Sequence, residues 1–156
     1  MLDLYKELKK IINRLEKGKI EYALAGGLAY SIHVRPRATI DIDVLIKSED
    51  WEKTRSAVRA LGYQELASPM TFKKGQVVIR RLTKFEKGGS DFMILDFLLA
   101  EKGVLSGALK SRVAKTWERK KIWLVSREGI VKLKRLRLSK QDRLDIEEIR
   151  KVKKEK

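Results

Sequence analysis

The sequence predicts one α/β (α+β) domain over residues 1–156, built as a mixed β-sheet flanked by helices. Two observations lead to this prediction: short apolar runs of strand character alternate with segments of helical periodicity, and neither a linker nor a repeat divides the chain. With 156 residues, of which 43% are hydrophobic, the chain is long enough to bury a core of its own.

The N-terminal half is expected to alternate helices and strands. Apolar residues recur at helical spacing over residues 2–16, and Gly18 ends that helix. The predicted elements that follow are a short buried strand at 22–25, a turn at Gly26-Gly27, a short helix beginning near Leu28, a strand at 40–46, and a helix that Ser48 caps and Gly62 ends.

The C-terminal half is expected to supply the remaining strands and a helical end. Its predicted elements are strands at 70–72 and 76–82 paired across the turn 73–75, a strand at 92–99, a segment at 104–114 that fits either a helix or a loop, a strand at 121–125, and two helices over about 127–153. The last residues, 151–156, are expected to form a frayed basic end.

Two aspartates lie one residue apart on an apolar strand. Side chains alternate faces along a strand, so Asp41 and Asp43 point the same way, with Cβ atoms roughly 6–7 Å apart. Ile40, Ile42 and Val44 are then expected to face the core. Two anions on one face repel each other unless a cation lies between them, and carboxylate oxygens suit hard divalent cations.

A glycine pair precedes this strand. Gly26-Gly27 joins a short buried strand to a short helix, where glycine lets backbone N–H groups approach a phosphate closely. Each feature alone is common in proteins: the glycines suit a tight turn, and the aspartates suit a strand end that faces solvent. A phosphate cradle followed by a carboxylate pair is far less common by chance, so together they favour a metal-dependent phosphate site.

The stretch from Gly26 to Asp43, GGLAYSIHVRPRATIDID, resembles the signature of the DNA polymerase β-like nucleotidyltransferase superfamily. That signature is a Gly-Gly or Gly-Ser step, roughly a dozen residues, and then two aspartates alternating with apolar residues; here thirteen residues separate Gly27 from Asp41. The run RATIDID at 37–43 is similar to small bacterial and archaeal members, the abortive-infection toxin type and the minimal antibiotic-modifying type. The resemblance implies a nucleotidyltransferase-like fold.

The resemblance also implies a third carboxylate on a neighbouring strand. Asp96 is the one charge in the apolar run 92–99, and a buried charge is costly unless it is paired or bound to a metal. Asp91 is the rival candidate, but it follows the turn-forming residues 88–90 and suits the end of a turn. Asp96 is therefore favoured over Asp91.

The activity that the resemblance implies is a Mg²⁺- or Mn²⁺-dependent nucleotidyl transfer, with a nucleoside triphosphate such as ATP as substrate. A nucleoside monophosphate would pass to an acceptor hydroxyl and pyrophosphate would leave. Asp41, Asp43 and Asp96 would be the catalytic residues and metal ligands, with Asp96 as general base. The expected nucleotide-binding residues are Gly26, Gly27, Arg37, Thr39 and Lys134.

The C-terminal segment resembles the L-x-x-K…D-x-x-D tail of the abortive-infection-like branch, with Lys134 eight residues before Asp142. In relatives this tail packs over the nucleotide site, although Lys134 is also compatible with a solvated surface lysine. Asp142 suits the first turn of a helix. The acidic residues behind it are expected to be solvated: Asp145, Glu147 and Glu148. The chain departs from the family pattern at Gly27, where many members have serine, and at Ser139, where the tail usually has arginine.

Composition excludes several kinds of site. Cysteine is absent, which rules out disulfides, thiolate catalysis and Cys-bound zinc and suits a cytoplasmic protein. The single histidine, His33, argues against a histidine-based metal site or triad and is expected to be structural. No apolar run approaches the roughly 20 residues of a spanning helix, and no signal-peptide core is present, so no membrane association is expected.

Thirty-seven Lys and Arg against 21 Asp and Glu give a formal net charge of +16. Such a field attracts polyanions, so RNA, and tRNA especially, is an expected acceptor. Abundant charge without cysteine also suits a heat-adapted protein. Three alternatives stay open: transfer to a small hydroxylated molecule such as an aminoglycoside, transfer to a partner protein as in toxin–antitoxin pairs, and a catalytically lapsed domain that only binds nucleic acid.

Overall fold

A computed structural model describes residues 1–154 and arranges them as one mixed sheet with helices on both faces. Within this range the strands are β1 (Tyr22–Leu24), β2 (Asp41–Lys47), β3 (Met70–Phe72), β4 (Val77–Phe85), β5 (Phe92–Ala100), β6 (Val113–Trp117) and β7 (Lys120–Leu124). The helices are α1 (Leu4–Lys17), α2 (Gly26–His33), α3 (Trp51–Arg59), α4 (Gly103–Lys110), α5 (Arg127–Arg137) and α6 (Lys140–Lys154).

The strand order across the described sheet is β3-β4-β5-β2-β1-β7-β6. Strand β2 runs parallel to β5, and β1 runs parallel to β7, whereas the other neighbours are antiparallel. The predicted mixed α/β architecture is therefore confirmed. Its central pair, β2 and β5, carries all three aspartates of interest.

Strand β2 divides the hydrophobic core into two layers because its side chains alternate faces. Val44 packs with the apolar sides of α1 and α3, including Ile11 and Trp51. Leu45 packs on the opposite face with α2, α4 and α5, including Leu105 and Ile130. Both sheet faces are thus covered at the centre, as a sheet with parallel strands requires.

Local capping sets several helix starts. The Asp3 carboxylate accepts hydrogen bonds from the Tyr5 and Lys6 N–H groups at the start of α1. Ser126 accepts from the Gly129 N–H in α5. In α6, the Ser139 hydroxyl accepts from the Asp142 N–H while the Asp142 carboxylate accepts from the Ser139 N–H, a reciprocal capping box.

Two expectations for the N-terminal half are wrong. Ile40 does not face the core but is 80% exposed, because the β2–β5 ladder begins at Asp41 and Ile40 lies beyond it. Ser48 does not cap the following helix: it begins a 3₁₀ turn, Ser48–Asp50, that continues directly into α3.

Two differences concern the C-terminal half. Strand β6 was not anticipated, because the hairpin turn that joins it to β7 places Glu118 and Arg119 in left-handed conformations that glycine or asparagine normally marks. The frayed end expected from residue 151 is wrong as far as residue 154, because α6 continues to that point, and residues 155–156 lie outside the described range. Within residues 1–154, no helix is both long and apolar enough to cross a membrane.

Helix α6 is tied to the body of the protein by three acidic residues spaced three apart, Asp142, Asp145 and Glu148, which we call the acidic face of α6. Asp145 is 2% exposed and accepts hydrogen bonds from the side chains of Arg37 and Lys134. The expectation that the acids behind Asp142 are solvated is wrong for Asp145, because these two partly buried cations bind it.

Replacing Asp145 by Asn should destabilise the fold. It leaves two partly buried cations short of a counter-charge, and the expected loss is about 2–4 kcal/mol of unfolding free energy. Urea denaturation of the variant measures this. The matched control is Glu147→Gln, an exposed acid on the same helix, expected to change the unfolding free energy by less than about 0.5 kcal/mol. Equal losses in both variants would contradict the structural role of the acidic face.

Candidate active site

Three carboxylates meet where β2 and β5 run side by side. The parallel register places Asp43 directly opposite Asp96, and Asp41 opposite Ile94. Because residues two apart share a face, Asp41, Asp43 and Asp96 lie on one side of the sheet. Asp96 is 5% exposed, whereas Asp41 and Asp43 are partly buried. These three residues are called the carboxylate trio below.

Burial and repulsion from neighbouring carboxylates make Asp41 and Asp43 hard to ionise. The pKa of Asp43 is raised to about 7, first by burial and then by the charges of Asp96 and Asp41. Burial and Asp96 also raise the pKa of Asp41. In addition, Asp41 Oδ1 is buried and has no hydrogen-bond partner in the described part of the chain. An unpartnered buried carboxylate oxygen is the kind of donor that suits a hard cation.

Arg81 is the cation that faces this trio. It lies on β4 directly opposite Asp96, and its Nε and Nη2 donate to Asp96 Oδ1 and Oδ2, each at 2.8 Å. The Asp96 bond and the charges of Asp41 and Asp43 raise the pKa of Arg81. Sequence analysis missed this residue, although a buried Asp96 required a partner and the Arg80-Arg81 pair stood in a predicted strand.

The glycine pair forms the other wall of the site. Gly26 has φ +58°, and a Cβ built there would lie 2.8 Å from the Asp43 Cγ, so only glycine fits. A Cβ at Gly27 would crowd the Thr39 hydroxyl at 3.0 Å. Among the described residues, no side chain caps the start of α2, and its first turn holds no acidic residue. Its N–H groups are therefore suited to an anion.

The remaining predicted nucleotide-binding residues are divided between the site and its surroundings. Thr39 donates to the Asp41 carbonyl oxygen and so fixes the entry to β2. Lys134 lines a cleft that Gly26 and Asp43 also line, but its ammonium group is paired with Asp145 at 2.7 Å. Arg37 lies outside that cleft.

Arg37 instead belongs to a cluster around Tyr30. Its guanidinium lies 3.9 Å from the Tyr30 ring centroid and pairs with Asp145 at 2.6 Å. The Tyr30 hydroxyl donates to Glu148, which also pairs with Arg35. This cluster joins α2 and the segment that follows it to α6.

The cleft beside Asp43 has a volume of about 510 Å³. Apolar side chains from β4, β5, α4 and α5 line most of it, including Ile79, Leu98 and Leu133. Arg137 lies at its edge and is paired with Asp142 at 2.7 Å, and that arginine and the Ser139 bonds hold the pKa of Asp142 well below its usual range. Arg137 is a second cation that sequence analysis missed.

The three carboxylates of the trio differ in whether their oxygens are free to bind a metal ion. Asp41 and Asp43 offer oxygens without a cationic partner of their own, whereas both oxygens of Asp96 are bonded to Arg81. As arranged here, no group of three or more His, Cys, Asp or Glu side chains in residues 1–154 could hold a metal ion. The carboxylate oxygens still open to a dication are therefore on Asp41 and Asp43, whereas Arg81 takes up both oxygens of Asp96.

Asp91, the rival candidate, has a different environment. Its carboxylate accepts hydrogen bonds from the Leu2 and Phe92 N–H groups. It thus secures the N-terminal segment and the start of β5, in keeping with the turn position that its sequence context favours.

The fold is that of nucleotidyltransferases. The lincosamide antibiotic adenylyltransferase LnuA, solved with lincomycin bound, superposes with a TM-score of 0.63 at 18% identity, covering 93% of this chain and 95% of LnuA. TM1012 of Thermotoga maritima, a candidate nucleotidyltransferase, gives a TM-score of 0.64 at 15% identity, covering 97% and 93%. The antibiotic-resistance factor ANT(2'')-Ia gives 0.61 at 14% identity, covering 92% and 80%. Neither models of known families nor curated proteins gave a match to the sequence.

Because the pKa of Asp43 is raised, we expect Asp43→Asn to raise the melting temperature of the protein by an amount that depends on pH. Its pKa in the folded protein, about 7, exceeds its ordinary value of 3.8, so the folded wild type loses stability as pH rises from about 4 to 7. The amide never ionises. The variant should therefore melt above the wild type by about 2–8 °C at pH 8, allowing for partial exposure, and close to it at pH 4. Thermal denaturation across this range measures the effect; parallel curves would contradict the proposed repulsion.

Replacing Gly26 by Ala should damage the site sterically. The new Cβ must adopt a positive φ and also displace the Asp43 carboxylate, with an expected loss of about 2–4 kcal/mol of unfolding free energy. Gly75→Ala is the matched control, because Gly75 has φ +85° and no atom within 4 Å of its built Cβ. That variant should lose only about 1–2 kcal/mol by chemical denaturation. If the two variants lost the same amount, the close approach to Asp43 would be unimportant.

Proposed function

We propose that this protein is a nucleotidyltransferase that moves a nucleoside monophosphate from a nucleoside triphosphate to an acceptor hydroxyl and releases pyrophosphate. The observation that carries the proposal is the parallel pairing of Asp43 with Asp96 beside a glycine that a side chain could not replace. The nucleotidyltransferase fold of the chain supports the same conclusion. Nucleotidyl transfer needs carboxylates for a metal ion and backbone donors for phosphates within one site, and this chain brings both together.

Asp41 and Asp43 would hold a divalent cation, Mg²⁺ or Mn²⁺, with Asp96 as a further ligand. When bound, such an ion neutralises charge on the phosphates and on the attacking oxygen. Asp96 is also the proposed general base: its carboxylate would accept the proton of the acceptor hydroxyl as the oxygen bonds to the α-phosphorus. This role requires the two hydrogen bonds from Arg81 to Asp96 to break.

The triphosphate would lie at the start of α2. Gly26 and Gly27 would donate backbone N–H groups to the phosphates, and the partial positive charge of the helix end would favour the anion. Lys134 and Arg137, which line the same cleft, would add positive charge. Thr39 and Arg37 complete the proposed nucleotide-binding set by fixing the position of the β2 entry and of Tyr30.

RNA, and tRNA in particular, is the acceptor that we propose. The net charge of +16 favours polyanions over neutral or cationic acceptors and exceeds what a triphosphate alone would need. A second acceptor class is favoured by the cleft itself, because its apolar walls and 510 Å³ volume suit the body of a small hydroxylated molecule. Transfer to a partner protein is the third arm of the test.

Labelled transfer distinguishes these acceptors. The protein is incubated with Mg²⁺ and triphosphates, ATP among them, labelled at the α-phosphate in one series and at the γ-phosphate in another, together with total RNA, protein or metabolites. Transfer of the α-label alone, into RNA, is the expected result. Label in the metabolite or protein pool would overturn the RNA proposal, and γ-label transfer would overturn nucleotidyl transfer. Salt-dependent RNA binding without any transfer would indicate a lapsed enzyme.

Variants of the trio test the roles of its members. Asp41→Asn and Asp43→Asn should each lower the transfer rate by about 10³-fold or more, because electrostatic stabilisation of this kind is worth several kcal/mol. Asp96→Asn should lose transfer while largely keeping triphosphate binding measured by calorimetry. Asp91→Asn, on the approach to the same strand, is the control that should keep full activity. If Asp91→Asn lost activity while Asp96→Asn stayed active, Asp91 and not Asp96 would be the third catalytic carboxylate.

A further inference from the structure

Arg81 donates a hydrogen bond to each carboxylate oxygen of Asp96. Its guanidinium meets the carboxylate edge to edge, with two hydrogen bonds of 2.8 Å, and such bidentate pairs are among the strongest in proteins. Asp96 is nearly inaccessible, whereas the Arg81 side chain is 38% exposed. The arginine can therefore move into solvent while the carboxylate stays fixed in β5.

Arg81 also acts electrostatically on the other two members of the trio. Both Asp41 and Asp43 act on it electrostatically, and its effect on Asp43 exceeds that of Arg137. Arg137 is itself bound to Asp142. In this arrangement, Arg81 stands where the proposed function requires a divalent cation to meet Asp96.

We infer that Arg81 is a positioning residue that holds Asp96 in place and competes with the divalent cation for it, so that the guanidinium and the ion exclude one another. The inference rests on the proposed function. Two cations cannot share both oxygens of one carboxylate without strong repulsion. Loading of the site thus includes the displacement of Arg81, and breaking its two charge-assisted bonds weakens the apparent affinity for the ion.

The neighbouring residue provides a matched control. Arg80 lies on the same strand but on the opposite face, where it forms a bidentate pair with Glu65 at 2.5 and 2.9 Å. Substitution of either arginine by lysine therefore makes the same side-chain change, keeps the same charge and removes the same type of bidentate pair. Only Arg81 faces the trio.

The test measures Mn²⁺ binding by calorimetry in the wild type, Arg81→Lys and Arg80→Lys, with a non-hydrolysable triphosphate present. Lysine keeps the charge but cannot hold both carboxylate oxygens, so any change reflects the lost bidentate pair and not a lost charge. Arg81→Lys should bind Mn²⁺ about 5- to 20-fold more tightly than the wild type. Arg80→Lys should bind it as the wild type does.

A second measurement does not depend on comparing Mn²⁺ affinities between variants. In the wild type, saturating Mg²⁺ should shift the Arg81 Nε–H resonance in ¹⁵N-correlated spectra, because the bond to Asp96 is broken, and should leave the Arg80 resonance in place. The two arginine variants assign the signals by their absence.

Three outcomes would overturn the inference, and they distinguish its failure alone from the failure of the proposed function. Equal Mn²⁺ affinity in the wild type and Arg81→Lys, lost in Asp43→Asn, would leave the metal site intact and make the Arg81 pair structural only. An Arg81 Nε–H signal that ignores Mg²⁺ would have the same meaning. Absence of Mn²⁺ binding in all of these proteins would overturn the inference together with the metal-dependent function.

Discussion

Like-charge repulsion among Asp41, Asp43 and Asp96 is the constraint on which the rest of this structure depends. Parallel pairing of β2 and β5 forces these carboxylates together on one face, and burial denies them full hydration. The molecule relieves the repulsion in two ways that the structure shows: a raised pKa at Asp43 and a bidentate arginine at Asp96. An arrangement so unfavourable by itself is typical of functional sites, where local stability is given up for chemistry.

The cations near the cleft are paired with carboxylates of α6. Lys134 and Arg137 would make one side of the cleft strongly positive if they were unpaired, and Arg37 lies outside it, but the acidic face of α6 binds all three. The excess positive charge of the chain is therefore not simply directed at the cleft. Positions of these cations are fixed by buried carboxylates with several hydrogen bonds each, so their side chains lose little further freedom when an anion enters. The ion pairs with Asp142 and Asp145 therefore fix the orientation of these cationic side chains.

How far the sequence could predict this structure depended on the range of each interaction. Features within a few residues were predictable: the shared face of Asp41 and Asp43 follows from strand alternation, and the turn at Gly26 from glycine chemistry. Asp96 could be placed because a charge inside an apolar run needs a reason. Arg81 could not be distinguished from Arg80, since only the register with β5 decides which faces the trio. The partners of Asp145 lie up to 108 residues away and left no local signal. Likewise Ile40 was misplaced because the end of a ladder is set by the partner strand and not by hydrophobicity.

The acidic face of α6 has a consequence for the effect of deleting this helix. The carboxylate trio and the Gly26-Gly27 turn lie on earlier elements, but the pairing of the nearby cations depends on α6. Without α6, Arg37 and Lys134 would lose Asp145, and Arg35 would lose Glu148. Such a deletion would therefore keep the three aspartates while exposing cations that the intact protein neutralises.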